Sequence, residues 1–384
     1  MVTAVTASAT SIADRFAPAA CPRLVVKIGS ALLVDKAGAV RRSWLEGVVA
    51  DIADRAAAGQ KLAIVSSGAI ALGARALGLP KGGRASLEDA QAAAATGQIE
   101  LSRAWAELLA ARGLAAAQML VTLDDLEERR RYLNASATLA RLMALGVVPV
   151  INENDSVATA EIRFGDNDRL AARIAQAAGA GGVILLSDID GLYTANPGID
   201  PHARLVPEVR VIDARIRAMA DGGSASGMGS GGMVSKLEAA RIAQAGGAHL
   251  AIVSGRHDRP LSAFVERGRG TLFLAGAGAR ARKAWLAGRL TARGRITVDA
   301  GAGRALAEGR SLLAAGAVSI EGGFARGDVI EIVGADGALI ARGLSEYDAA
   351  DARLILGQRS EAQAALLGYA PRAALVHRDH LVLM

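Results

Sequence analysis

Residues 151–168 read INENDSVATAEIRFGDND and follow a short apolar run at residues 147–150. That run is rich in β-branched residues and too short for a helix, so it predicts a buried strand. Two polar clusters follow, at residues 152–155 and 165–168, and the second precedes a predicted helix starting at residue 169. Carboxylates and amides of this kind suit a small molecule bearing an ammonium and a carboxylate. A loop that ends in an aspartate N-cap explains the same residues, and the pattern alone leaves both interpretations open.

Other apolar segments also end in polar residues, namely 23–30 (RLVVKIGS), 61–67 (KLAIVSS) and 183–190 (VILLSDID). The polar or flexible residues at these ends are Lys27, Gly29, Ser66, Ser67, Ser187 and Asp188. An unpaired ammonium is costly to bury, so a lysine in such a strand lies near its end or binds an anion. A lysine snorkelling at a sheet edge, and serines that merely cap helices, are the alternatives.

The strands alternate with predicted helices at residues 43–58, 87–112, 124–145 and 169–178, and further strands are predicted at 115–122, 249–255 and, as an edge, 271–274. Such alternation favours a parallel sheet covered by helices on both faces. Ligands of open α/β sheets bind at the carboxyl ends of the strands. Because the polar residues all follow strands, the sequence predicts an α/β fold with one active site at that edge of the sheet.

Residues 220–233, ADGGSASGMGSGGM, lead into a predicted helix that begins near Val234 and carries Lys236 in its first turn. Glycine-rich backbone that delivers amides and a lysine to a helix start is typical of a phosphate-binding site. A flexible linker is the alternative. No G-x-x-x-x-G-K-[ST] motif occurs, which excludes an ordinary P-loop.

The composition indicates a globular protein of two or three domains, with 384 residues of which 52% are hydrophobic and 21% charged. A net charge of +6 fits anionic small molecules and does not by itself imply nucleic acid. The single cysteine, Cys21, rules out an internal disulfide and is consistent with the reducing cytoplasm. No apolar run reaches membrane-spanning length, so no membrane partner is expected.

Changes in composition predict the domain boundaries. Residues 1–20 are predicted to form a loose tail, residues 21–275 the α/β domain and residues 276–293 a connector. Residues 294–384 hold short alternating strands between glycine turns, which predicts a small β-rich domain with a C-terminal tail. The five histidines lack metal-ligand spacing, and the HRDH sequence at residues 377–380 is predicted to be surface structure.

Five motifs, in order VVKIGS, VSSGAIALG, PVINENDSVATAEIRFGDND, LLSDIDGLYTANP and SGMGSGGMVSK, resemble those of the glutamate 5-kinases in the amino acid kinase superfamily. The tail from about residue 293 resembles a PUA domain. The resemblance covers the chain except its first twenty or so residues. It implies a three-layer α/β/α sandwich and transfer of the ATP γ-phosphate to the side-chain carboxylate of L-glutamate, the first step of proline biosynthesis.

The resemblance also implies roles for individual residues. Lys27 and Lys236 would flank the transferring phosphoryl group, and Asp168 would orient them. Asp155 would hold the ammonium of glutamate, and the rest of the substrate would contact Ser67, Asn152 and Asn167. The residues expected to bind ATP are Lys27, Ser187, Asp188, Ser230, Gly231, Gly232, Met233, Val234, Ser235 and Lys236. Mg²⁺ is expected on the ATP phosphates, without direct protein ligands.

The expected partners follow from the same resemblance. A homo-oligomer, dimer or tetramer, and feedback inhibition by proline are expected in a cytoplasmic enzyme. The closest alternative is an amino acid kinase that acts on aspartate or acetylglutamate. A second alternative is an RNA-binding protein acting through the PUA-like domain, although that domain lacks an aromatic-plus-basic pattern and Phe324 is its one phenylalanine.

Overall fold

The computed structural model describes residues 11–157, 167–220, 232–276 and 292–384. They belong to two compact units, the first formed by the described residues within 11–126 and 135–276 and the second by residues 127–134 and 292–384. Within the described ranges, no helix is both long enough and apolar enough to span a bilayer. The predicted connector falls mostly on residues 277–291, outside the described residues.

The first unit is built on an eight-stranded sheet. Its strands are β1 (Arg23–Ile28), β2 (Lys61–Ser66), β3 (Ala116–Val121), β4 (Val148–Glu153), β5 (Gly182–Ser187), β6 (Glu208–Val209), β7 (His249–Ser254) and β8 (Thr271–Phe273). They lie in the order β3-β4-β2-β1-β5-β7-β8-β6, and all neighbours are parallel except β7 and β8. The predicted α/β fold with a mostly parallel sheet is thus confirmed.

Helices alternate with these strands along the chain. They are α1 (Ser30–Leu33), α2 (Arg42–Ala57), α3 (Ala69–Ala76), α4 (Leu87–Ala110), α5 (Leu123–Glu127), α6 (Arg129–Ala144), α7 (Asn167–Ala178), α8 (Ala214–Ala220), α9 (Met233–Ala245) and α10 (Pro260–Arg267). Residues 129–134 of α6 belong to the second unit. Leu24, Val26 and Ile28 join a core to which α2, α4 and α10 contribute. Side chains alternate along a strand, so Lys27 faces the opposite layer, where α7 packs against β1 and α9.

Three local predictions for this unit differ from the structure. β8 is not the edge strand, because the two-residue strand β6 pairs beyond it. The predicted helix at residues 124–145 is divided into α5 and α6 at residue 128. One face of α6 is buried, including Leu133 and Leu139, although the charged sequence of this helix predicts an exposed one. Strands of two or three residues have too few side chains to show a period, which explains why β6 was missed.

The predicted loose tail is wrong for residues 11–20. A 3-10 helix forms at Ile12–Phe16, capped by the side chain of Ser11, and Phe16 is fully buried in the core. The carbonyl oxygen of Phe16 accepts hydrogen bonds from Arg55 and Gln60, at 3.0 and 2.9 Å. One buried aromatic residue, Phe16, anchors this segment. The Ala- and Ser-rich composition around Phe16 gave no indication that the segment is ordered.

The second unit contains a five-stranded sheet ordered β10-β9-β11-β12-β13 and three α-helices from residue 300 onward. These elements are β9 (Gly294–Val298), α11 (Ala300–Ala307), β10 (Ala317–Gly322), β11 (Val329–Val333), β12 (Leu339–Leu344), α12 (Ala349–Leu354), α13 (Ser360–Leu367) and β13 (Leu381–Leu383). The predicted C-terminal β-rich domain is confirmed. The prediction of surface structure at residues 377–380 is wrong for His380, which is buried with Nδ1 3.3 Å from a Glu346 oxygen.

Candidate active site

Lys27, Asp168 and Lys236 meet at the carboxyl edge of the first sheet. The Lys27 ammonium lies 2.7 Å from Asp168 Oδ1, and the Lys236 ammonium lies 3.0 Å from Asp168 Oδ2. Asp168 is 1% exposed, and each lysine is 7% exposed. One carboxylate therefore holds two ammonium groups side by side, which leaves a net positive charge at the site.

The backbone elements explain why these three side chains converge. Lys27 is the penultimate residue of β1 and faces the α7 layer. Asp168 lies in the first turn of α7, and Lys236 lies in the first turn of α9. Because α7 and α9 pack together, their first turns place the two side chains beside the end of β1.

The ionisation of Asp168 follows from these contacts. Burial by itself would raise the pKa of the Asp168 carboxyl, but the charges and hydrogen bonds of Lys27 and Lys236 hold that pKa below its usual value. The carboxylate is therefore charged at neutral pH and is not poised to accept a proton. Each of its two oxygens contacts one lysine ammonium, so Asp168 is suited to position the two lysines.

A cluster of buried polar side chains occupies the ends of β2 and β4 and the start of α7. Asn167 Nδ2 donates hydrogen bonds to Ser67 Oγ at 2.7 Å and to Asn152 Oδ1 at 3.1 Å. Ser67 does not cap α3, whose N-cap residue is Gly68 with a φ of 115°, a conformation that favours glycine. The structure therefore brings together Ser67, Asn152 and Asn167, as expected for one binding site.

Asp155 lies two residues beyond β4 and is 8% exposed. Among the described residues, its Oδ1 atom has no hydrogen-bond partner. Burial raises the pKa of the Asp155 carboxyl to about 6, although the nearby charge of Arg84 opposes the shift. A buried carboxylate oxygen of this kind is suited to receive a cationic group from a ligand.

A cleft of about 950 Å³ opens beside Lys236. Five of the residues predicted to bind ATP line it, namely Asp188, Gly232, Met233, Val234 and Lys236. Lys27, Ser187 and Ser235 do not line this cleft, and Ser230 and Gly231 lie outside the described residues. Helix α9 begins at the cleft with Gly232 as its N-cap and no side-chain cap hydrogen bond, so its first amides suit an anion.

The cleft is also lined by three hydrogen-bonded residues that the sequence analysis did not identify, namely Asp190, Tyr193 and Arg269. Arg269 Nε donates to Asp190 at 2.6 Å, and Arg269 Nη2 donates to the Tyr193 hydroxyl at 3.0 Å. The Tyr193 hydroxyl also donates to Asp190 at 2.8 Å. Partial burial by itself would raise the pKa of the Asp190 carboxyl. The hydrogen bonds from Arg269 and Tyr193 nevertheless keep that pKa below its usual value.

Two more residues near the site were missed from the sequence. Gln98, on the alanine-rich helix α4, accepts a hydrogen bond from Asn152 Nδ2 at 2.9 Å. Trp44 Nε1 donates to the carbonyl oxygens of Gly255 and His257, which belong to the loop after β7. The one signal for Gln98 in the sequence was a glutamine within an alanine-rich helix. Trp44 gave no signal, because a tryptophan at this position is expected in an ordinary core.

No group of three or more His, Cys, Asp and Glu side chains able to hold a metal ion occurs in the described parts of the chain. Asp168 is unsuited as a direct ligand because both of its oxygens already contact lysines. A divalent cation at this site would be held mainly by oxygens of a phosphate ligand and of water.

Comparison with known proteins gives full-length matches. A sequence profile of the amino acid kinase family matches residues 22–254, and a profile of the PUA domain matches residues 294–366. The chain is 72% identical over 369 residues to the glutamate 5-kinase of Sphingopyxis alaskensis, covering 96% of this chain and 99% of the relative. It is 63% identical over 369 residues to the glutamate 5-kinase of Zymomonas mobilis, covering 96% of this chain and 93% of that relative.

Proposed function

Because the chain belongs to the glutamate 5-kinases of the amino acid kinase family, we propose that it transfers the γ-phosphate of ATP to the side-chain carboxylate of L-glutamate. The product is L-glutamyl 5-phosphate, and the reaction is the first step of proline biosynthesis. The observation that carries the proposal is the pairing of Lys27 and Lys236 across Asp168, at 2.7 and 3.0 Å.

The two lysines act on the transferring phosphoryl group. Negative charge on the β- and γ-phosphate oxygens must be offset for the transfer to proceed. Two ammonium groups held on one buried carboxylate supply that charge from fixed positions, which reduces the reorganisation needed during the reaction. Gly29 lies next to this group, since a Cβ atom added there would be 3.8 Å from the Lys27 ammonium.

Asp168 positions the lysines and does not remove a proton. The nucleophile is a carboxylate, which is already ionised at neutral pH, so the reaction needs no general base. The pKa of Asp168 agrees with this role, because the two lysines hold it below its usual value despite complete burial.

The acceptor binds at the carboxyl ends of β2 and β4. The unpartnered Oδ1 atom of Asp155 receives the ammonium of glutamate. Ser67 Oγ accepts a hydrogen bond from Asn167, so its own hydrogen is available for a substrate carboxylate. Asn152 and Asn167 fix the remainder of the substrate, and glutamate then lies between Asp155 and the lysine pair.

ATP occupies the cleft beside Lys236, with its phosphates toward the first amides of α9. Mg²⁺, bound to phosphate and water oxygens, would offset further negative charge on the nucleotide. The volume of about 950 Å³ is ample for a nucleotide. Lys27, Ser187, Asp188 and the residues from Ser230 to Lys236 remain the proposed nucleotide-binding residues.

The role of the lysines can be tested by replacing Lys236 with alanine. The loss of one phosphate-binding charge should lower kcat at least 100-fold, while the KM for glutamate changes less than threefold. Lys61→Ala, at the exposed start of β2, is the matched control and should leave both constants unchanged. An Lys236→Ala enzyme of normal kcat would contradict the proposed site.

The acceptor can be identified by measuring ATP-dependent phosphorylation of glutamate, aspartate and acetylglutamate, with hydroxylamine to trap the acyl phosphate. Glutamate should be preferred over acetylglutamate because Asp155 needs a free ammonium partner, and over aspartate because the chain belongs to the glutamate 5-kinases. Preference for acetylglutamate, whose nitrogen is uncharged, would assign a different activity within the family.

The proposal includes a cytoplasmic homo-oligomer, dimer or tetramer, inhibited by proline, as expected for a glutamate 5-kinase. Light scattering of the purified protein would give the number of subunits, and proline titration of the kinase assay would test inhibition. Binding of RNA by the PUA domain can be tested by filter binding at several salt concentrations, since phosphate contacts make the affinity fall with salt.

A further inference from the structure

A continuous hydrogen-bond chain, here named the amide relay, leads from the acceptor site to the protein surface. Its members are Asn167, Asn152, Gln98, Ser102 and Gln118. Asn167 Nδ2 donates to Asn152 Oδ1 at 3.1 Å, and Asn152 Nδ2 donates to Gln98 Oε1 at 2.9 Å. Gln98 Nε2 donates to Ser102 Oγ at 3.0 Å, and Ser102 Oγ donates to Gln118 Oε1 at 2.6 Å. Gln118 is exposed on the edge strand β3, whereas Gln98 and both asparagines are buried.

Every hydrogen bond in the amide relay runs in the same direction, from the acceptor site outward. Because Gln98 presents its carbonyl oxygen to Asn152, the NH₂ group of Asn152 must face outward and its carbonyl must face Asn167. The backbone N–H of Glu153 also donates to Asn152 Oδ1, at 2.9 Å, which supports the same orientation. The side chain of Asn152 can therefore accept, and not donate, on the side of the acceptor site.

The orientation of Asn152 determines that of Asn167. Both hydrogens of the Asn167 NH₂ group are used, by Asn152 and Ser67. The Asn167 Oδ1 atom consequently points away from Ser67 and Asn152. It is buried without a hydrogen-bond partner among the described residues. Asp155 Oδ1 is likewise buried without a hydrogen-bond partner among the described residues, and acceptor oxygens of this kind match the hydrogens of an ammonium group.

We propose that Gln98 is a positioning residue that sets the amide orientation of Asn152 and Asn167 and so makes the site select an acceptor bearing an ammonium group. The inference rests on the proposed function and adds to it a residue that does not touch the substrate. With the amide relay reversed, Asn167 would point an NH₂ group at the substrate ammonium, where like donors repel and neither is paired.

Close packing of α3 and α4 constrains the backbone at Gln98. Gln98 lies on α4 next to Gly97, where a Cβ atom would lie 1.9 Å from the carbonyl oxygen of Ala69 on α3. This close contact between the two helices leaves little freedom for the backbone of residue 98. A methionine of similar size would preserve the packing of Gln98 and remove only its hydrogen bonds.

The test compares Gln98→Met with the matched control Gln118→Met, where water can replace the lost contact. Gln98→Met should raise the KM for glutamate at least tenfold. The inhibition constant of glutarate, which lacks the ammonium, should change less than twofold, as should the KM for ATP. Gln118→Met should change all three constants less than twofold. A merely structural defect would raise the glutamate KM and the glutarate inhibition constant together.

Gln98→Glu provides a second test that does not depend on the folding of the methionine variant. A glutamate at this position, protonated or not, still accepts the hydrogen bond from Asn152, so its glutamate KM should stay within threefold of the natural enzyme. Equal shifts for glutamate and glutarate in Gln98→Met, no shift at all, or a tenfold rise in Gln98→Glu would overturn the inference. Lack of glutamate phosphorylation by the unmodified enzyme would instead refute the proposed function.

Discussion

At the scale of single residues, Asp155 shows that binding and stability oppose each other at this site. Its carboxyl is buried, its Oδ1 atom is unpartnered among the described residues, and burial raises its pKa to about 6. Above that pH, the enzyme without substrate holds a buried negative charge, and the Oδ1 atom that shares this charge accepts no hydrogen bond from the described residues. Such a loss of folding stability is expected at a residue whose role is to bind a ligand.

Asp155→Asn should therefore stabilise the empty enzyme and weaken glutamate binding. A folded-state pKa of about 6, above the ordinary value of an aspartate, means that stability falls as the pH rises from about 4 to about 6. Asparagine removes this loss, so the free energy of unfolding at pH 7.5 should increase by ~2–3 kcal/mol, while the KM for glutamate rises at least tenfold. Denaturant unfolding and steady-state kinetics measure the two effects.

The pH provides the control for this prediction. At pH 4 the natural carboxyl is mostly protonated in the folded state, so the stabilisation by Asp155→Asn should disappear there. The glutamate KM of the natural enzyme should rise as the pH falls below about 6, because a protonated carboxyl cannot pair with an ammonium. Equal stabilisation at pH 4 and pH 7.5 would show that the charge of Asp155 is not the cause.

At the scale of secondary-structure elements, the contact between α3 and α4 positions much of the acceptor site. Added Cβ atoms at Gly73 and Gly97 would lie 1.8 and 1.9 Å from carbonyl oxygens of the opposite helix, so only glycine allows this approach. Helix α4 carries Gln98 of the amide relay and also Trp105, whose indole donates to Ser66 Oγ at 3.0 Å. Movement of α4 would therefore displace Ser66 at the end of β2 and Asn152 at the end of β4.

Gly97→Ala should separate the two helices and disturb the acceptor site. The added methyl group meets backbone atoms that cannot rotate away, and such overpacking costs about 1–3 kcal/mol of unfolding free energy. The glutamate KM should rise more than the ATP KM, since the nucleotide cleft is lined by other elements. Gly323→Ala, where an added Cβ has no neighbour within 4 Å, is the control and should change neither stability nor kinetics. An unchanged melting temperature in Gly97→Ala would contradict the close contact.

At the scale of the whole molecule, the segment before β1 is part of the core of the first unit. Phe16 is fully buried, its ring lies 6.0 Å from that of Phe264, and a Cβ added at Gly182 would touch both Phe16 and Cys21. Burial also raises the pKa of the Cys21 thiol to about 11, which makes it unreactive while the unit remains folded. Cys21 is therefore a reporter of how firmly this segment is held.

Phe16→Ala should destabilise the first unit by about 3–5 kcal/mol, the usual cost of a large cavity in a core. This destabilisation should also increase the rate at which a thiol reagent labels Cys21, because the segment that contains Cys21 opens more often. Val265→Ala, at a side chain that is 55% exposed, is the control and should alter both measurements little. Slow Cys21 labelling in a destabilised Phe16→Ala protein would indicate that the segment does not open with the core.

Much of the fold could be predicted because its signals are local. Short β-branched runs alternate with amphipathic segments along the chain, and this alternation confines the strands to a mostly parallel sheet. A parallel sheet brings the carboxyl ends of its strands to one edge, so the position of Lys27, Ser67, Asn152 and Asp155 near one another follows from the sequence. The glycine-rich stretch before Lys236 likewise indicated a phosphate site, although residues 221–231 lie outside the described structure.

Only the tertiary structure decided which of these groups touch. The meeting of Lys27, Asp168 and Lys236 requires α7 and α9 to pack on the face of β1 that Lys27 occupies, and no local pattern encodes that packing. The amide relay depends on the direction of each hydrogen bond, and the anchoring of residues 11–20 depends on a single buried ring. Propensity and periodicity act over a few neighbouring residues, whereas these contacts join residues distant in sequence and form only when the layers are assembled.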